Sequence, residues 1–394
     1  MTASGIERGL STGLLTVSQI GASNRVGLLH SLVRLGPASR SDLARLAKVP
    51  RGSIAPIVTG LIEDGFLVEL EPANGPSKMG KPSRPLWFGP RVGHSCSLRV
   101  EATGVDCARV DQRGQVHDLR RADFPSDASA AVIESAVLSL AETVAGRSPE
   151  PLTGLGLAWP AVWDPVDWTV LSCTPIPALV GSGLARRLGQ ACGLDLFLED
   201  DARALAIGQR WFGEARDLDN FSAVQISTGI GAGLMVDGKL FSVEGRSPEV
   251  GHMVVDLDGA PCRCGRSGCW ETLAALGWLR QEARRLGLPQ WETALPGDIV
   301  AWSSPAADQL LDSYARNIAI GLVNLANTVG LHRFLLHGEV VSGGEPLLRL
   351  LRRHIGAQTT WSETKPTVEF SELNQTAALL GAAVIPLVHT IERA

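Results

Sequence analysis

The chain has 394 residues, 45% of them hydrophobic and 20% charged, with a formal charge of −5 at pH 7. That length and apolar fraction support about two or three buried cores and exclude disorder on a large scale. No run reaches the roughly 18 to 20 apolar residues of a membrane helix, and the opening MTASGIERGLSTG lacks the apolar centre of a signal peptide, so a cytoplasmic protein is expected. The acidic balance excludes a protein coated in basic charge, yet leaves room for a basic module joined to an acidic one. Of seven cysteines, three crowd into Cys262 to Cys269, which suits metal binding in a reducing compartment better than a disulfide framework.

From Asn24 onward Val26, Leu28, Leu29, Leu32, Val33 and Leu35 recur at helical spacing until Gly36-Pro37 breaks the helix. A second short helix is expected to start on Ser41 as N-cap and to bury Leu43, Ala44, Leu46 and Ala47. After Val49-Pro50 a third runs from about Gly52 to Glu63, with Ile54, Ile57, Val58, Leu61 and Ile62 inward and Arg51, Ser53 and Thr59 outward; Pro56 is its one awkward residue. Gly65-Phe66-Leu67-Val68, a polar stretch from Pro72 to Pro85, and Leu86-Trp87-Phe88 then read as a two-stranded wing. Three helices and a hairpin over residues 20–90 predict a winged helix-turn-helix, in which one helix enters a DNA major groove and the wing meets the backbone. Between Asn24 and Pro90 nine basic residues face five acidic ones, the local excess that phosphate contact requires. Arg40, Arg51, Ser53, Thr59, Lys78, Lys81 and Arg84 are the candidate DNA contacts. The alternative use of such a unit is protein contact alone.

Cys262-Arg-Cys264-Gly265-Arg-Ser-Gly268-Cys269 follows His252 at a distance that a loop can close. Three thiolates and one imidazole, His252, Cys262, Cys264 and Cys269, make a closed tetrahedral site for a structural Zn²⁺, with Gly265 and Gly268 letting the chain wrap around the metal.

Glu249-Val-Gly-His252, followed by CRCGRSGCWE with Glu271 two residues beyond the last cysteine, resembles the signature of the ROK family of repressors, open reading frames and sugar kinases. The likeness extends to GLAWPAVWDPVD (Gly156 to Asp167), LEDDARALA (Leu198 to Ala206), STGIGAGLMVDGKL (Ser227 to Leu240) and TAALLGAA (Thr376 to Ala383). It implies an α/β architecture: the winged helix-turn-helix in front, then an actin-like (ribonuclease H-like), two-lobed sugar-kinase-type domain over residues 95–394 with sugar held between the lobes. By the same resemblance Asp201 falls on the kinases' catalytic base, and Glu249 and Glu271 fall on acceptors for sugar hydroxyls. His252 falls on a residue that binds zinc through one ring nitrogen and faces sugar with the other. Asp200 takes the place of an asparagine in that pocket, so Glu199-Asp200-Asp201 is expected to stack three carboxylates and to raise a pKa or recruit a cation.

Kinases of this type open the domain with Asp-x-Gly-Gly-Thr, whose glycines let the backbone approach phosphate and whose aspartate helps hold magnesium. Here the strand reads Ser97-Leu-Arg-Val-Glu-Ala, placing Arg99 at the aspartate and Glu101-Ala102 at the glycine pair, and a later Gly-Gly-Gly is His337-Gly-Glu339. The resemblance therefore implies no enzyme but a transcriptional regulator, a repressor of carbohydrate uptake or catabolic genes. Its expected partners are double-stranded operator DNA and a sugar or sugar-phosphate effector, and its expected assembly a homodimer or homotetramer, with no membrane contact. The alternative is an ATP-dependent sugar kinase with an appended DNA-binding domain. Ser242-Val-Glu244-Gly245 and Pro248 also depart from the family's sugar pocket, which points to an altered ligand or to none.

Overall fold

The computed structural model describes residues 17–71, 84–243, 247–358 and 365–392. Its chain begins with α1 (Val17–Leu35), α2 (Arg40–Leu46) and α3 (Arg51–Glu63), followed by β1 (Leu67–Glu69) paired antiparallel with β2 (Leu86–Phe88). The expected cap of α2 moves from Ser41 to Ser39. The Ser39 hydroxyl accepts from the Asp42 N–H while the Asp42 carboxylate accepts from the Ser39 N–H, a reciprocal pair that Ser41 has no partner to make. α3 runs through Pro56 and buries Ile54, Val58 and Leu61 against Leu29, Leu32, Phe66 and Leu86. The tip of the predicted wing, with Lys78 and Lys81, lies outside the described residues.

Two lobes with the same strand order follow. The first holds β3 (His94–Glu101), β4 (Gly104–Val110), β5 (Val116–Asp123), α4 (Ala130–Gly146), β6 (Leu152–Trp159), the small pair β7 (Val162–Trp163) and β8 (Val170–Ser172), α5 (Leu184–Cys192) and β9 (Leu196–Asp200). Its five-stranded sheet runs β5-β4-β3-β6-β9, with β3, β6 and β9 parallel and β4 and β5 antiparallel. α6 (Asp201–Phe212) leads into the second lobe: β10 (Phe221–Ile226), β11 (Ile230–Val236), β12 (Lys239–Leu240), α7 (Glu271–Ala274), α8 (Leu276–Arg285), α9 (Pro296–Trp302), α10 (Pro305–Val329), β13 (Arg333–His337), α11 (Gly344–Gln358), β14 (Thr367–Phe370) and α12 (Thr376–Glu392). Its sheet, β12-β11-β10-β13-β14, repeats the pattern of an antiparallel hairpin on one side and two parallel crossovers on the other. Alternation is weak in β3, β6 and β10, which are buried almost throughout, as strands covered on both faces must be.

α12 returns to the first lobe and packs on α6, β3 and β6. The approach is closer than a side chain allows. A methyl at Gly208 would collide with the Ala377 carbonyl, one at Gly381 with the Ala204 carbonyl, and one at Gly156 with the Ala382 carbonyl. Ser97 answers the crossing by donating its hydroxyl to the Leu379 carbonyl at 2.5 Å. Leu387 of α12 is also part of the apolar core under α1 and α3, so the front unit rests on the last helix of the chain.

Candidate functional site

Strand ends and helix starts meet in a cleft of about 270 Å³ between the lobes, lined among others by Glu101, Asp200, Asp201, Glu249, His252, Arg263, Glu271 and Glu339. Parallel strands end here at β9 and β13, where open α/β sheets place ligand crevices. All five sugar-pocket residues named from the sequence line this one cavity.

The three successive acids do not stack. Glu199 is the penultimate residue of β9 and turns into the protein, where it is 3% exposed and pairs with Arg203 one helical turn on, at 2.7 Å between Arg203 Nε and Glu199 Oε1. Burial pushes the Glu199 carboxyl up to about 7 against the opposing charge of Arg203. Asp200 is the N-cap of α6, accepting from the Arg203 N–H at 3.1 Å and from the Ser247 hydroxyl at 2.7 Å. Burial raises its pKa, and hydrogen bonds hold it back. Asp201 opens the helix; burial, with Asp200 beside it, pushes its carboxyl to about 7. The expected repulsion acts from Asp200 on both of its neighbours, Glu199 and Asp201, and the cation beside Glu199 is the protein's own Arg203.

Arg99, which the sequence reading set against the kinases' metal-holding aspartate, is 4% exposed on β3. Its Nη2 lies 2.7 Å from Glu101 and 3.1 Å from Asp106, and Arg121 closes the cluster at 3.1 Å from each of the same carboxylates. Glu101, the member of this cluster that lines the cleft, is therefore paired with two guanidiniums. β13 ends in His337, 1% exposed, whose Nδ1–H donates to the Asn374 carbonyl at 3.0 Å. Burial holds His337 at about 4, so it is neutral.

The four metal-ligand candidates converge: one donor atom from each of His252, Cys262, Cys264 and Cys269 lies within 4.8 Å of every other. Cys264 Sγ and Cys269 Sγ are 3.6 Å apart, as are Cys262 Sγ and His252 Nδ1. Metal–sulfur bonds of about 2.3 Å put the corners of a tetrahedron roughly 3.8 Å apart, so the residues present fit a zinc-sized ion. Gly265 and Gly268 take φ of +88° and +69°, and at Gly268 a side chain would meet the Asp256 carbonyl. The Arg266 N–H and side chain hold the Cys264 thiol down to about 6. Burial and Glu271 push Cys262 up to about 12, a cost that a bound dication reverses.

His252 faces two ways. Its Nδ1 points to the thiols and its Nε2 lies 3.9 Å from Glu249 in the cleft. Glu249 is 70% exposed in its side chain. Glu271 is less free than the sequence reading had it: only 8% exposed, its Oε1 receives the Cys262 thiol at 3.1 Å and Arg263 Nε at 3.3 Å, while Oε2 receives Arg263 Nη2 at 3.4 Å. Trp270 anchors this end of the loop. Fully buried, its Nε1–H donates to the Asn317 carbonyl at 3.0 Å, and its ring fills the space that a methyl at Gly321 would take.

On the front unit Arg51, Ser53 and Thr59 are exposed on α3. Arg40 is instead engaged with Glu69 at 2.5 Å, and Arg84 lies 3.7 Å from the same carboxylate. The unit touches the lobes at the far end of α6, where His30 Nε2–H donates to the Arg210 carbonyl at 3.0 Å and stacks edge-on against Trp211, centroids 4.9 Å apart. Sequence reasoning passed over Arg203, Ser247, Arg263 and His30. Only the first carried a signal, since Glu199 and Arg203 stand at the i,i+4 spacing of a helical ion pair.

The ROK family model matches residues 96–389. The xylose repressor of Bacillus subtilis is 26% identical over 94% of this chain and 96% of its own length. A crystal structure of a ROK family transcriptional regulator, homolog of the Escherichia coli MLC protein, superposes with a TM-score of 0.75 at 22% identity, covering 95% of this chain and all of that one. A Streptomyces griseus ROK family glucokinase, solved with glucose and AMPPNP, gives a TM-score of 0.65 at 25% identity and covers 74% of this chain and 98% of its own.

Proposed function

The chain belongs to the ROK family, and from that premise we propose that it is a sugar-responsive DNA-binding transcriptional repressor of carbohydrate genes and not a sugar kinase. The carrying observation is Arg99. A guanidinium at the magnesium-holding position, tied to Glu101 and Asp106, neither binds a divalent cation nor leaves the backbone open to phosphate. Coverage supports the same reading: the repressor matches the chain nearly end to end, whereas the glucokinase lacks a counterpart for about a quarter of it.

In this reading residues 20–90 are a winged helix-turn-helix that presents Arg51, Ser53 and Thr59 of α3 to the major groove, with Lys78, Lys81 and Arg84 on the wing toward phosphate. Residues 95–394 are the sensor, and His252, Cys262, Cys264 and Cys269 hold a structural Zn²⁺ that fixes the His252 ring and the start of α7. A sugar sits among Asp200, Asp201, Glu249, His252 and Glu271. The cytoplasmic protein works as a homodimer or homotetramer on a two-fold operator. Support for coupling lies in α6, which carries Asp200 in the cleft at one end and the His30 contact at the other. A sugar alters DNA affinity only as far as it binds the two lobe arrangements unequally.

The test is a DNA-binding titration on the gene's own upstream region, with and without a panel of sugars and with ADP release monitored in the presence of ATP. DNA binding that one sugar weakens, without ADP, is expected. Sugar-dependent ADP release that disappears in Asp201→Asn would mean the kinase reading is right.

A further inference from the structure

The segment that joins the front unit to the first lobe leaves little slack. Val92 is 5% exposed within the apolar core of the front unit, and Arg91 is strapped to that unit: its Nη1–H donates to the Asp64 carbonyl at 3.1 Å and its guanidinium lies 4.8 Å from the centre of the Phe66 ring. Two residues after Val92, His94 opens β3, and its N–H donates to the Pro151 carbonyl at 3.1 Å. Gly93 alone stands between, and a methyl there would collide with the same Pro151 carbonyl. A connection this short fixes where the front unit sits and leaves its tilt to the surfaces in contact.

One of those surfaces is the turn between β4 and β5. The Asp111 carboxylate closes it: Oδ1 accepts from the Arg113 and Gln115 N–H groups at 2.8 and 2.9 Å, and Oδ2 accepts from His117 Nε2–H at 3.3 Å. The His117 ring stacks on His94, centroids 5.3 Å apart and planes 3° apart, which braces the turn against the residue where the first lobe begins. Gly114, at φ +77°, lies on Phe212, and a methyl there would come within 2.5 Å of the ring. From this support Arg113 reaches the front unit, its guanidinium carbon 4.6 Å from the centre of the Trp87 ring. Trp87 is the middle residue of β2 and pairs with Val68 of β1, so it sits at the base of the wing. A cation over an aromatic face is attracted by the ring, and most strongly by that of Trp. Phe212 is the last residue of α6, and its neighbour Trp211 meets His30 of α1. The end of α6 thus reaches the front unit twice, directly at α1 and, by way of Gly114 and Arg113, at the wing.

We propose that the β4–β5 turn is the seat of the wing and that Arg113, acting through Trp87, is a positioning residue for DNA binding. This rests on the DNA-binding reading and deepens it: Arg113 lies outside the winged helix and sets the angle at which the wing meets phosphate without touching DNA itself. Only seated heads present α3 and the wing together, so affinity falls with the seated fraction.

The experiment compares full-length wild type, Arg113→Ala and Arg113→Lys by amide hydrogen exchange without DNA, and by fluorescence anisotropy on the gene's own upstream DNA over a range of salt. Arg113 is exposed, so both variants are expected to keep the wild-type Tm within about 1 °C. Arg113→Ala is expected to speed exchange about two- to fivefold in β1 and β2 but not in the sheet of the second lobe, and to weaken DNA binding by a similar factor. Arg113→Lys, which keeps a cation over the ring, recovers most of both losses. The slope of log affinity against log salt stays as in wild type; a slope shallower by about one in Arg113→Ala marks a lost phosphate contact and overturns the positioning role. Undiminished DNA affinity in Arg113→Ala overturns this inference and leaves the DNA-binding reading standing. Wild type that binds no DNA, while Arg113→Ala still speeds exchange in β1 and β2, refutes the DNA-binding reading and leaves the seat in place.

Discussion

Replacing Arg203 with leucine tests whether the ion pair beneath the cleft holds α6 in place. Arg203 is 1% exposed and Glu199 3%, and the pair approaches to 2.7 Å with a second contact at 3.3 Å. Removing one partner of a buried pair leaves the other charge uncompensated, which costs about 3–5 kcal/mol. For a cooperative unit of roughly 300 residues, unfolding entropy of about 2.1 cal/mol/K per residue converts 4 kcal/mol into a fall in Tm of about 6 °C. The loss has a definite pH dependence. The Glu199 carboxyl already sits at about 7 in the folded protein, above its ordinary 4.5, and rises further without Arg203. A carboxyl with a raised folded pKa is fully tolerated below its unfolded pKa and destabilises as pH rises through the folded one. Because wild-type Glu199 ionises at about 7, the Arg203→Leu penalty is smallest near pH 4.5 and larger by about 1.4 kcal/mol at pH 8. Scanning calorimetry across that range measures it, and the double variant Glu199→Leu/Arg203→Leu is expected to recover more than half of the lost stability at pH 8. A Tm deficit that is equal at both ends of the range, or a double variant no better than the single, would refute the electrostatic account of this pair.

Chelating the metal, or Cys264→Ser, is expected to release the 252–269 loop and with it Glu271 and the His252 ring; zinc analysis should find one ion per chain in wild type, and loss of sugar affinity together with loss of that ion is the outcome to seek. His30→Ala should leave sugar binding and DNA binding each within about threefold of wild type but reduce the sugar's effect on DNA affinity, and an undiminished response by fluorescence anisotropy would exclude the α6 contact as the route. Gly381→Ala forces a methyl onto the Ala204 carbonyl and should cost about 2 kcal/mol or more in urea unfolding; a neutral result would show that α6 and α12 can separate freely. Asp201→Asn removes a carboxyl held at about 7 against an ordinary 3.8, so it should stabilise the protein by roughly 1–3 kcal/mol at pH 8 and by nothing near pH 4, with a Tm difference independent of pH counting against it.

The clustering of His252 with the three cysteines and the acids of the cleft were legible in the sequence because each depends on a local pattern. CRCGRSGC brings three sulfurs together through nearby glycines, and the acids at Asp200 and Asp201 sit on one strand-to-helix junction. Helices α2 and α3 were legible for the same reason, and the one misplaced cap shows the limit: Ser39 and Ser41 are equivalent by residue type, and only the reach of Asp42 decides between them. Which way each acid turns was decided by tertiary structure. Glu199, Asp200 and Asp201 are adjacent in sequence, yet the strand alternates its side chains and the helix that follows rotates the next one. Glu199 therefore goes to Arg203, while Asp200, held by Ser247, and Asp201 both line the cleft. The occupation of Glu271 by Arg263, the pairing of Glu101 with Arg121 beside Arg99 and the contact of His30 with α6 join residues that lie 8, 20 and 180 positions apart. No local pattern encodes such pairs. They exist because folding brings distant charges into a low-dielectric interior, where each must find a partner.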